Sequence, residues 1–289
     1  MSAASDRKVV VITGASGGIG AALARLLGSA GQDVVLAARR AGELAAVARD
    51  SGDAALAVTT DVTDRRSVEA LRDRAIAHFG HVDVWVNNAG RGITKPALQL
   101  TDADFDDMMT VNVKSVLYGM QAIAPHFVER GAGHIINVSS FLGRVPLASI
   151  RSAYNAAKAA VNALTANVRA DLAVSHPGIH VSLVMPGLVA TDFARNALGN
   201  TAGNASGSVS GSASGSAVAT PIPTPPRSAP GAATPQTAEE VAAVIAGVIA
   251  NPVAEVFTNP ASAEIARRYF EDVAAFERGM NAGFAPSKR

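Results

Sequence analysis

Val9-Val10-Val11-Ile12-Thr13-Gly14-Ala15-Ser16-Gly17-Gly18-Ile19-Gly20 is the stretch on which the fold turns. Its first part, Val9–Thr13, is short, continuously apolar and β-branched, which predicts a strand buried on both faces as in a parallel sheet. The glycines at 14, 17, 18 and 20 permit a tight turn and a close approach of backbone to a ligand. A helical stretch, 21–31, follows, and a helix N-terminus offers unpaired N–H groups and a positive dipole end to a pyrophosphate. A purely structural glycine turn is the alternative. The strand before and the helix after favour nucleotide binding.

The pattern repeats outward along the chain. A second buried strand, Asp33–Ala38, ends in Arg39-Arg40, where dinucleotide folds meet the adenosine ribose. A carboxylate there would accept from a 2′-hydroxyl, whereas guanidinium groups suit a 2′-phosphate, so NADP(H) is expected over NAD(H), with NAD(H) kept open. Two arginines solvated at the start of helix Ala41–Asp50 are the alternative. Further strands are expected at 54–59, 82–86, 133–140 and 181–185, and a short one near Val256-Phe257. Helices are expected at Arg65–Phe79, from a Thr101 cap to about 126, at 152–173, Ala238–Ala250 and 262–278. Thr63 or Asp64 would cap the first of these. This alternation predicts an α/β fold, a Rossmann-like doubly wound parallel sheet with helices on both faces, in a single domain over 1–289.

In such a sheet, ligands sit at the carboxyl ends of the strands. That places Asn87-Asn88-Ala89-Gly90, the hydroxyls of Ser139-Ser140, and Pro186-Gly187-Leu188-Val189-Ala190-Thr191 around one crevice. The two asparagines suit a turn whose side chains bond to the backbone of neighbouring strand ends. Ser152-Ala153-Tyr154-Asn155-Ala156-Ala157-Lys158 opens a helix that carries a phenol and an ammonium on one face, four residues apart. A positive charge beside a phenol favours the phenolate, so Tyr154 and Lys158 are candidates for an acid/base pair. A surface helix with a packed ring and a solvated lysine is the competing reading. Asn112, within Val111-Asn112-Val113, reads as a core amide with satisfied partners.

Composition sets bounds on function. The 289 residues, 48% apolar and 17% charged, suffice for one large core. A formal charge of +1 without a basic run makes nucleic acid an unexpected partner. There is no cysteine, so thiolate chemistry is excluded. The histidine pairs His78/His81 and His176/His180 lack carboxylates at ligand spacing, and Asp102 to Val113 fails the calcium-loop pattern at its sixth and twelfth positions, so no metal is expected. The short polar N-terminus has no signal-peptide pattern and no apolar stretch is long enough to cross a bilayer, which leads to an expected cytoplasmic location without a membrane span. Segment 199–236 is rich in Gly, Ser, Ala, Thr and Pro, and is expected to be a flexible insertion.

Thr13-Gly14-x-x-x-Gly18-x-Gly20, Asn87-Asn88-Ala89-Gly90, Asn112, Ser140, Tyr154-x-x-x-Lys158 and Pro186-Gly187-x-x-x-Thr191 occur in this order, and together they resemble the single-domain short-chain dehydrogenase/reductase family. The resemblance covers about 8–192 strongly and the C-terminal elements more loosely. It implies an oxidoreductase that interconverts a ketone or aldehyde and an alcohol, with Tyr154 as acid/base, Lys158 tuning it, Ser140 holding the substrate oxygen and Asn112 holding a relay water. It implies cofactor contacts from Gly14, Ser16, Gly18, Ile19, Gly20, Arg39, Arg40, Val62, Asn88 and Val189, from Asp61 to the adenine amine, and from Thr191 to the carboxamide or pyrophosphate. Tyr154 and Lys158 would also face the cofactor. The resemblance implies a small-molecule carbonyl or alcohol substrate and a homodimer or homotetramer. Ser140 precedes Tyr154 by fourteen positions, one more than in many relatives, and 199–236 falls at the usual substrate-covering loop. A cofactor-binding sensor without turnover is the alternative function; a sugar-nucleotide epimerase or dehydratase would need a larger C-terminal domain.

Overall fold

Strand β1 (Val9–Thr13) is buried at all five positions, and its side chains divide between two cores. Val10 and Ile12 face one side of the sheet, Val9 and Val11 the other, as the two-residue period of a strand requires. The computed structural model describes residues 7–191, Phe193, Ala197, Leu198 and 235–282. Within them, β2 (Asp33–Ala38), β3 (Leu56–Thr59), β4 (Val84–Asn87), β5 (Gly133–Val138), β6 (Ile179–Met185) and β7 (Glu255–Phe257) join β1 in a seven-stranded sheet of order β3-β2-β1-β4-β5-β6-β7. Every neighbouring pair is parallel. The order reverses between β1 and β4, which opens a crevice at their carboxyl ends.

One face is covered by α1 (Gly18–Ser29), α2 (Ala41–Asp50) and α7 (Ala238–Ala250), through a core that includes Ile12, Leu23, Leu36, Val241 and Ile245. The other carries α3 (Arg65–Phe79), α5 (Ser115–Arg130) and α6 (Ser152–Ser175), packed through Val11, Leu71, Trp85, Phe127 and Val161. The doubly wound architecture expected from the alternating pattern is therefore present. Residues 199–234, which hold most of the expected flexible insertion, lie outside the described residues. Just before the Thr237 cap, Gln236 pairs with Val189 across an isolated bridge, accepts from Thr258 Oγ1 at 2.6 Å and donates to the Thr258 carbonyl at 3.1 Å.

Several boundaries differ from expectation for identifiable reasons. Helix α1 begins at Gly18 rather than residue 21, so the last glycines of the loop already belong to its first turn. Strand β4 starts at Val84, because the Val82 N–H is taken by His126 Nε2 at 3.1 Å and the Asp83 carboxylate accepts from Val9 N at 2.8 Å. Thr101 caps α4 (Asp102–Met109) in a reciprocal box with Asp104, and Asp64, not Thr63, caps α3. The helix expected from 101 to about 126 runs on to Arg130 but contains a wide π turn at Thr110–Lys114. The expected last helix is two, α8 (Ala261–Glu271) and α9 (Val273–Ala282), because Asp272 turns extended and its carboxylate caps Ala275 N at 2.9 Å.

Candidate active site

The end of β1 and the end of β4 are tied together by Thr13. Its hydroxyl accepts from Asn88 N at 3.0 Å and Ala89 N at 3.1 Å, while Asn88 Nδ2 returns to the Thr13 carbonyl at 2.9 Å. This strut holds the glycine loop against the neighbouring strand end. Gly14 there has φ of 69°, and a Cβ would stand 2.8 Å from Ala89 Cα. At Gly20 a Cβ would come within 2.6 Å of both Asn88 Nδ2 and Gly14 O, so only glycine lets α1 begin this close to the loop.

Helix α1 starts without a side-chain cap and without an acid in its first turn, unlike α4 and α7, which carry both. Its first N–H groups are thus left for an anion. They open onto a cleft of about 460 Å³ bordered by Ser16, Gly17, Gly18, Thr191 and Thr237. Thr191 sits over Gly18, with its methyl 3.5 Å from where a Cβ would be. Ile19 and Val189 pack beside the same core. The uncapped helix and the glycine cradle fit the pyrophosphate of a dinucleotide.

Arg39 and Arg40 are exposed at the end of β2. Arg40 Nη2 donates to Ser16 Oγ at 3.0 Å, which ties the strand end to the glycine loop, and its Nη1 lies 3.5 Å from Glu43. Asp61 accepts from Thr63 N at 2.9 Å and Thr63 Oγ1 at 2.8 Å. Burial acts to raise its pKa, but these bonds and the nearby Arg39 charge outweigh it and keep the carboxyl below its usual value. Val62 packs half-buried against the core beneath.

The asparagines do different work from each other. Asn88 bonds to backbone, as expected of the pair. Asn87 does not: it accepts from Trp85 Nε1 and donates to Asn137 Oδ1, both at 2.8 Å, and Asn137 donates on to Thr165 at 2.9 Å. This buried side-chain ladder crosses from β4 to β5 and α6. Asn112 is fully buried in the π turn, with Nδ2 donating to Arg91 O at 2.9 Å and Met108 O at 3.1 Å and Oδ1 accepting from Arg91 N at 3.1 Å. Its amide is occupied in holding the loop after β4. Gly90 lies between the two groups of interest: a Cβ there would be 2.8 Å from Asn112 Oδ1 and 3.7 Å from Lys158 Nζ.

Tyr154 and Lys158 are not on a solvated surface; they are 8% and 3% exposed on the first turns of α6. Lys158 Nζ donates to the Val138 carbonyl at 2.9 Å, at the end of β5. The two serines that follow β5 divide in role. Ser139 Oγ donates to Asn162 Oδ1 at 2.6 Å and fastens the strand to α6. Ser140 Oγ accepts from Leu142 N at 3.1 Å and faces the Tyr154 hydroxyl. Between Ser140 and Tyr154 the chain meets the loop after β4, with Lys95 N donating to Ile150 O at 2.7 Å and Ser152 Oγ to Lys95 O at 2.7 Å.

The electrostatics differ from the simple expectation that Lys158 lowers the phenol. Burial pushes Tyr154 up to about 12, while Ser140 and then the Arg151 charge draw it partly back. Burial pulls Lys158 down to about 8. Its ammonium is held by Val138 and lies 5.8 Å from the Tyr154 ring centroid, so desolvation of the phenol wins over a neighbouring cation. Tyr154 is thereby a neutral phenol at neutral pH. Arg151, Phe193, Ile93 and Met108 were not singled out in the sequence. Ile93 and Met108 pack with Tyr154 in a small apolar cluster, and the Phe193 ring is tilted 60° to that of Tyr154 at 5.5 Å. Only Arg151 left a trace, since it stands three residues before Tyr154 at helical spacing.

Among the described residues no helix is long and apolar enough to cross a membrane, and no three metal-ligating side chains converge. His81 instead lies 3.1 Å from Asp83. A family model described as short chain dehydrogenase matches residues 8–201. An uncharacterized oxidoreductase of Staphylococcus epidermidis is 36% identical over 184 residues, 64% of this chain and 79% of that one, and one of Staphylococcus aureus strain USA300 is 38% identical over 185 residues with the same coverage. Among solved structures, a short chain dehydrogenase/reductase from Burkholderia phymatum in complex with NAD superposes with a TM-score of 0.77 at 30% identity, covering 93% of this chain and 95% of that one. An alcohol dehydrogenase from the archaeon Thermococcus sibiricus, complexed with 5-hydroxy-NADP, gives 0.69 at 26% identity, covering 87% and 96%. With strand order, glycine loop and the Tyr154 to Lys158 helix all in place, the chain belongs to the short-chain dehydrogenase/reductase family and is an oxidoreductase enzyme.

Proposed function

We propose that the enzyme interconverts a ketone or aldehyde and an alcohol with NADP(H), using Tyr154 as the acid/base. The observation that carries this reading is the buried, neutral Tyr154 phenol, facing Ser140 and one helical turn from Lys158. The reduced nicotinamide would supply the hydride. In carbonyl reduction Tyr154 gives its proton to the oxygen as negative charge develops there, and Ser140 donates a hydrogen bond to the same oxygen. Lys158, charged at neutral pH, would steady the phenolate left behind and hold the nicotinamide ribose. In alcohol oxidation the proton moves the other way.

The residues that would hold the dinucleotide are Gly14, Ser16, Gly18, Ile19 and Gly20 at the pyrophosphate, Asp61 and Val62 at the adenine, and Asn88, Val189 and Thr191 nearer the nicotinamide. Arg39 and Arg40 support NADP(H), because no carboxylate occupies the end of β2 and both guanidinium groups are exposed there. NAD(H) remains the competing cofactor. A cytoplasmic location suits an enzyme that draws on that compartment's nicotinamide pool, and a homodimer or homotetramer is the expected assembly. A panel of ketones and aldehydes with NADPH and NADH, followed at the nicotinamide absorbance, tests the reaction. Turnover of at least one carbonyl is expected; tight cofactor binding without any turnover would leave a cofactor sensor instead.

A further inference from the structure

Arg91 and Lys95, in the loop after β4, are already neutralised by helix α4, through Asp107 and Asp104. Arg151, at the start of α6, has no carboxylate partner among the described residues. Among the described residues its one protein acceptor is the Ile93 carbonyl, 3.2 Å from Nη1, and most of its five N–H donors find no acceptor there.

Arg151 is half-buried, and removal of water from around its guanidinium is the main influence on its charge. The next is its attraction to Tyr154. A Cβ on Gly92 would lie 3.1 Å from Arg151 Nη1 and 2.9 Å from Phe193 Cε1, so guanidinium and phenyl ring meet at Gly92, with the same Phe193 ring against Tyr154. A partly desolvated cation without a counter-charge costs free energy unless something pairs with it. The Phe193 ring thus links Arg151 to Tyr154. A planar guanidinium fork with free donors matches a carboxylate.

We propose that the substrate carries an anionic group, a carboxylate on the same skeleton as the carbonyl or alcohol, and that Arg151 receives it while Tyr154 and Ser140 hold the reacting oxygen. This inference rests on the carbonyl-reductase reading given above. The exposed Phe193 ring, which lies against Tyr154, would cover the carbon chain between the two polar ends.

The test compares matched pairs of substrates, methyl ketones and oxo-acids of the same length with the carboxylate at increasing distance from the carbonyl. The quantity read is the ratio of kcat/KM for acid over neutral partner, in which general damage to the enzyme cancels. For the parent enzyme the best pair should show a ratio of about tenfold or more. Arg151→Gln should bring it to about one, and Arg151→Lys should keep part of it, since lysine retains the charge without the fork. Cofactor binding by each variant, followed by nicotinamide fluorescence, reports that the fold is intact. A parent ratio near one in every pair, or a ratio unchanged in Arg151→Gln, overturns the anionic substrate while leaving the reductase reading. No turnover of either member of any pair overturns both.

Discussion

The Lys158 ammonium lies 5.8 Å from the centroid of the Tyr154 ring and is held there by the Val138 carbonyl at 2.9 Å. Both groups are buried, and burial drives their pKa values apart, Tyr154 up to about 12 and Lys158 down to about 8. The pair is thus set as phenol plus ammonium at neutral pH, the protonation state that carbonyl reduction consumes.

Tyr154→Phe removes the proton donor without changing the ring's packing. Turnover should fall by about 10²- to 10⁴-fold while cofactor affinity stays close to that of the parent. Substantial residual kcat would show that the proton comes from elsewhere. Ser140→Ala should lower kcat, whereas Ser139→Ala, which breaks the bond to Asn162, should lower the urea midpoint more than kcat.

The charge on Lys158 is present below about pH 8 and is lost as pH rises through that value. Reduction should therefore decline above about pH 8, and alcohol oxidation, which needs the phenolate, should gain as pH rises. The check is kcat/KM for both directions from about pH 6 to 10. A flat profile for reduction through this window would remove Lys158 from the proton pathway.

Arg39→Asp puts at the end of β2 a carboxylate to which a ribose 2′-hydroxyl would donate and which a 2′-phosphate would repel. The ratio of kcat/KM with NADPH to that with NADH should fall by about tenfold or more. Equal use of both cofactors by the parent enzyme would contradict the role given to the arginines.

Gly20→Ala should weaken cofactor binding and cost about 1–3 kcal/mol of stability, because the added methyl lands 2.6 Å from Asn88 Nδ2 and Gly14 O. Thermal unfolding and cofactor titration read the two effects separately. A fully stable variant with parental affinity would mean the loop has room that its geometry denies.

His134 predicts acid sensitivity. Its ring is buried between β5 and β6, with Nε2 2.8 Å from Ser182 Oγ and Nδ1 without a partner, and burial pulls its pKa down to about 4. The unfolded chain takes up this proton near pH 6.5, the folded chain only near 4, so stability is lost as pH falls across that window, by roughly 3 kcal/mol in all. Urea midpoints at about pH 7 and 4.5 should differ by less in His134→Gln than in the parent.

Much of the site was legible because its elements are local. The glycine loop announces itself by residue type, and the Tyr154 to Lys158 pair by helical spacing. The π turn at Thr110–Lys114 was not legible, since it depends on Asn112 reaching across to the backbone of Arg91. The choice of Ser140 over Ser139 came from the family resemblance alone, because spacing does not tell two adjacent hydroxyls apart and the helix side chain that each one meets does.

The sequence by itself determined the alternation of buried strands and helices, hence the doubly wound parallel sheet, and the residue types gathered at its carboxyl edge. These follow from the periods of strand and helix, which act over a few residues. The tertiary structure alone decided the charge states. Whether a phenol sits at about 12 and an ammonium at about 8 depends on how much water the packed elements leave around them, and on an Arg151 brought against the site by the loop after β4. Burial is a property of the assembled fold, and no spacing along the chain encodes it.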